Sequence, residues 1–179
     1  MSRTKQGFLV VLKFPEEQKG TLNPRYKGID RMPCYYLPPV PDEYKSEEEA
    51  MDKYVFDDRF NDDNDDFIPN LNNAKILIEM FNESQREFEI IFCKEVESDE
   101  NIKSNFNMEE LGYDAAGGIA PFWSIVGDFD VKLSNYLPLL NDNGLFDCCS
   151  VTQDFIKKYM EMELPDYEGG FVVWKVYRV

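Results

Sequence analysis

Short apolar runs separated by long polar stretches set the pattern of this chain, and the period of each run predicts its structure. Residues Phe8 to Phe14 are almost wholly apolar and rich in β-branched side chains, and Pro15 closes them, which predicts a buried strand. From Arg86 to Val96 the period is two. Phe88, Ile90 and Phe92 fall on one side and Glu87 and Glu89 on the other, the clearest strand signature in the chain. A third strand is predicted from Phe171 to Val179, with Val172, Trp174 and Val176 as its inward set if Lys175 and Arg178 face water.

Helical spacing appears between these strands. Ala74, Leu77, Ile78 and Phe81 recur at i, i+3, i+4 and i+7, predicting a helix over 73–83 capped by Asn72 or Asn73. Ser46 and Glu49 match a capping box ahead of Ala50, Met51, Tyr54 and Val55, which predicts a helix over 47–56. Ser150 and Gln153 repeat that pattern before Phe155, Ile156, Tyr159 and Met160, with Pro165 beyond the expected end. Gly144 suits the left-handed residue that closes a helix, with Pro138 at that helix's first turn. Residues 15–41 carry eight Gly and Pro and predict loop, apart from a short extended piece at 34–37. Strands at the start, middle and end with helices between them imply one α+β domain over 1–179. Its sheet is expected to be mainly antiparallel or mixed, with helices chiefly on one face.

Composition agrees with a folded domain. A chain of 179 residues, 43% of them hydrophobic and 15% aromatic, can bury a core without staples. No run approaches the roughly 20 apolar residues of a membrane-spanning helix, and the short apolar run after Gly7 does not make a signal peptide. A cytoplasmic protein is expected. The four cysteines, Cys34, Cys93, Cys148 and Cys149, lack zinc spacing, and adjacent cysteines rarely bridge each other. They are expected to be packing residues, with Cys93 in the core of a strand.

Charge narrows the partners. The net charge is −16, and residues 42–66 hold twelve acids against three bases, a local −9 in an acidic loop or helix segment. That field repels nucleic acid and anionic membranes and speeds encounter with a basic protein. Within it Asp57, Asp58, Asp62, Asp63, Asp65 and Asp66 invite a calcium reading, but an EF-hand alignment starting at Asp62 puts Phe67 where the turn needs Gly and Asn73 where a Glu is needed. A solvated acidic loop is the better reading, these six acids are candidate partner-binding residues, and no metal or other cofactor is expected.

The chain has no histidine. Imidazole-based triads, His-containing metal sites and imidazole acid/base chemistry are therefore excluded, and no catalytic residue is assigned. The most distinctive stretch, Leu111 to Ser124, combines glycine with Tyr113, Asp114, Phe122 and Trp123, yet has neither a P-loop, a dinucleotide fingerprint nor a nucleophile elbow. It reads as a structured turn, and Tyr113, Asp114 and Trp123 as candidate anchors of a protein interface. The alternative is an enzyme or small-ligand site around Tyr113 to Ser124, with Asp114 as acid or base. Asp114, Asp128 and Asp130 otherwise read as surface residues in turns.

At residues 111–114, 141–146 and 171–177 the chain resembles small acidic bacterial proteins, some of the toxin-immunity kind. The likeness covers roughly the C-terminal half and carries no catalytic residues. It implies a cytoplasmic binding protein that neutralises a basic partner such as a toxin domain. The expectation is thus a non-enzymatic protein-binding module, an immunity-type inhibitor.

Overall fold

The computed structural model describes residues 5–13, 67–68, 70–81, 87–99, 107–117, 124–126, 131–162 and 170–179. They form an α+β fold around one four-stranded antiparallel sheet, ordered β1-β2-β4-β3. The strands are β1 (Gln6–Lys13), β2 (Glu87–Val96), β3 (Glu109–Gly117) and β4 (Phe171–Arg178), with helix α1 (Leu71–Phe81), a 3-10 segment (Val131–Leu139) and helix α2 (Cys149–Met160). The last strand lies between β2 and β3. The helix expected over 47–56 and the extended piece at 34–37 lie outside the described residues.

Both described helices cover the same face. On it Phe8, Ile90, Phe92 and Tyr177 pack with Ala74 and Ile78 of α1, while Val96, Tyr113, Ala115 and Val173 pack with Phe155 and Tyr159 of α2. Side chains alternate along a strand, so the intervening residues form the opposite face. There Leu9, Val11, Ile91, Cys93, Trp174 and Val176 pack with Phe67 and Leu145. Cys93 is fully buried there, as expected of a core strand residue. A Cβ on Gly7 would fall 2.3 Å from the Phe67 Cβ, so glycine at that position lets Phe67 lie against the sheet.

Four local readings need correction. Helix α1 begins earlier than expected: Asn70 Oδ1 accepts from the Asn73 N–H at 2.9 Å, so Asn70 is the cap and Asn72 and Asn73 are not. Helix α2 has Cys148 at its cap position with no side-chain capping bond of its own. Instead Asp99, beyond the end of β2, accepts from the Cys149 N–H at 3.0 Å, and Gln153 donates to the Glu97 carbonyl at 2.8 Å. The Ser150 and Gln153 capping box is thus replaced by a cap supplied from another element. Pro138 sits near the end of the 3-10 segment rather than at a first turn. Gly144 is left-handed, φ +69°, but closes a turn in which its N–H donates to Asn141 O at 2.9 Å, not a helix.

A further correction concerns β3, which sequence reading placed in a turn. Its residues are poor in β-branched side chains and include Gly112, so propensity argues against a strand. Pairing along the whole outer side of β4 overrides that preference. The register shifts between Glu110 and Gly112, and Gly112 adopts φ +134°. The carbonyl of the extra residue, Leu111, accepts from Asn141 Nδ2 at 2.9 Å and Asn143 Nδ2 at 3.2 Å. Outer edges are met by short bridges: β1 at Phe8 by Ile68, β3 at Tyr113 by Phe146 and at Ala116 by Ser124. Such bridges limit the sheet's readiness to pair with other chains.

Candidate functional site

A polar row crosses the helix-covered face between the two apolar clusters. Cross-strand pairing places Gln6 beside Lys94, Lys94 beside Lys175, and Lys175 beside Tyr113. Exposure falls along it: Gln6 is exposed, Lys94 is half-buried, and Lys175 and Tyr113 are buried. Lys175 is 3% exposed in the middle of an apolar strand, opposite to the expectation that it faces water. β4 is an interior strand covered on both faces, so alternation does not separate inside from outside there.

The Lys175 ammonium is held from several sides. Its Nζ lies 3.1 Å from Glu110 Oε2, 5.1 Å from the Tyr113 ring centre and 5.7 Å from that of Tyr177. Burial pulls the lysine pKa down, but hydrogen bonds to Tyr113, Glu110 and Tyr177 outweigh it and raise it above the usual value. Lys175 is therefore a protonated cation at neutral pH, suited to holding charge and not to acting as a base or nucleophile. Burial, aided by the Asp99 carboxylate and opposed by Lys175, pushes the Tyr113 hydroxyl up to about 12. Asp99 is in turn held below the ordinary carboxylate range, first by the Cys149 N–H and then by the Tyr113 hydroxyl. The cluster thus ties the start of α2 to the centre of the sheet.

Replacing a buried cation by an apolar side chain of similar length removes its desolvation cost along with its attractions. Lys175→Met should accordingly change stability by less than about 1.5 kcal/mol in urea unfolding. A loss well above that would show that the ammonium's bonds outweigh its burial.

The phenols set the alkaline limit. Burial and then the Asp154 carboxylate, at 2.5 Å, push the Tyr136 hydroxyl up to about 12 as well. Both tyrosines bind their protons more tightly when folded than at the ordinary value of 10.0. Their contribution is fully present below pH 10 and is lost as pH rises towards about 12, because the unfolded chain then holds fewer protons than the folded one. Melting temperature should be insensitive to these groups below pH 10 and decline above it, with tyrosinate absorbance appearing at unfolding. Free titration of both phenols near pH 10 in the folded protein would contradict the geometry.

The candidate anchors of sequence analysis do not converge. Tyr113 points to the helix-covered face and Asp114, the next residue along β3, to the other. They are 2% and 0% exposed, so neither offers a side chain to a partner's surface, a correction to the expected interface patch. Asp114 is also no surface residue of a turn: Ser124 Oγ donates to its Oδ1 at 2.5 Å and accepts from the Val126 N–H at 3.2 Å. Trp123, Asp128, Asp130 and the acids Asp57, Asp58, Asp62, Asp63, Asp65 and Asp66 lie outside the described residues. An acid/base site uniting Tyr113 with Asp114 is not formed, since the sheet stands between them.

Sequence reading missed Lys175, Tyr177, Glu110 and Asp99. One signal was available: a lone lysine inside the apolar run from Phe171 to Tyr177.

Two cysteines stand at the start of α2. Cys148 is half-buried, with its Sγ 2.9 Å from Ser150 Oγ and 3.8 Å from Asp99 Oδ2, while Cys149 is buried in the core. Among the described residues no group of three metal-ligating side chains is assembled, and no helix is long and apolar enough to cross a membrane.

Charge dominates the surface that is described. Glu79, Glu97, Asp99, Glu109, Glu110, Asp142, Asp147, Asp154 and Glu161 are exposed, against Lys75, Lys157 and Lys158. Asp99 sets its carboxylate at the start of α2, where its negative charge complements the helix end. No protein family, curated protein or solved structure matches this chain.

Proposed function

We propose that this chain is a non-enzymatic, cytoplasmic protein-binding module that recognises a basic partner, such as a toxin domain, in the manner of an immunity-type inhibitor. The observation that carries the reading is charge: −16 in total, −9 of it in residues 42–66, with acids outnumbering bases on the described surface. A field of one sign raises the encounter rate with an oppositely charged protein and is screened by salt. The absence of histidine and the buried, mutually separated positions of Tyr113 and Asp114 weigh against the alternative of an enzyme or small-ligand site around Tyr113 to Ser124.

The test is capture from the native host at low and high salt, followed by association kinetics with the recovered partner. A discrete basic protein should be retained, with an on-rate that falls as salt rises. Changing Asp62, Asp63, Asp65 and Asp66 together to Asn should leave folding intact and slow association by about tenfold at low salt. No partner at low salt, or an on-rate indifferent to both salt and the substitutions, would overturn the proposal.

A further inference from the structure

We draw no further inference here: the strongest candidate, the polar row of Gln6, Lys94, Lys175 and Tyr113 between the two helix-covered clusters, belongs to the site already described, its buried ammonium is already matched by Glu110, and nothing in the structure shows what covers its open end.

Discussion

Replacing Trp174 by alanine should lower the stability of the fold by about 3 to 5 kcal/mol. The side chain is fully buried on the sheet face opposite the described helices. Its ring centre lies 5.4 Å from that of Phe67, and its Nε1 donates to the Gly117 carbonyl at 3.2 Å. Removing the indole leaves a cavity between β4 and Phe67 and withdraws a donor from the end of β3. For a chain of this size the loss corresponds to about 10 °C in Tm. Trp174→Phe separates the two contributions, because it fills most of the space but cannot donate, and it should cost about 1 to 2 kcal/mol. Urea unfolding of the two variants measures both. A loss below about 1 kcal/mol for Trp174→Ala would show that this face is not a closed core.

Gly112→Ala should produce the next largest effect, about 3 kcal/mol, through strain and close contact together. With φ at +134° the backbone occupies a region that side-chain-bearing residues rarely adopt. An added Cβ would also meet the Phe146 carbonyl oxygen at 2.7 Å and Asn141 Nδ2 and Leu145 Cβ at 2.9 Å each. The Phe146 oxygen cannot retreat freely, since it accepts from the Tyr113 N–H at 2.7 Å. Gly170→Ala is the internal control. Gly170 also has positive φ, +66°, but a Cβ there meets nothing within 4 Å, so only the left-handed penalty of about 1 to 2 kcal/mol applies. Thermal unfolding of the two variants should therefore rank Gly112→Ala clearly below Gly170→Ala; equal losses would mean that contact with the 141–146 turn contributes nothing.

Period carried much of the architecture. Alternation in β2 put Phe88, Ile90 and Phe92 on one face, and the register confirms it, pairing Phe92 with Phe8 on one side and Tyr177 on the other. The apolar runs of β1 and β4 and the i, i+3, i+4 spacing of α1 were equally readable. The α+β class followed, because amphipathic elements of both kinds must share one core. For the site, sequence supplied Tyr113 and the charge, and charge is a sum over residues that needs no fold.

β3 was not legible, because its residues have the propensity of a turn and become a strand only where β4 offers an unpaired edge. The cap of α2 was misassigned to Ser150 because the helix already starts at Cys149, whose N–H is taken by Asp99, 50 residues away in sequence. Lys175 looked exposed because alternation assumes one wet face, and whether β4 has one depends on strand order. The separation of Tyr113 from Asp114 likewise appears only once Leu111 to Gly117 is known to be extended.

The sequence by itself thus determined the periods of the main elements, the fold class, the exclusion of imidazole chemistry and the −16 charge, all of them local or additive properties of the chain. The tertiary structure alone decided which strand became central, which lysine was buried between two tyrosines, and which carboxylate capped α2. Those outcomes turn on pairing and desolvation between residues distant in sequence, whose free energy exists only after the sheet has closed around them.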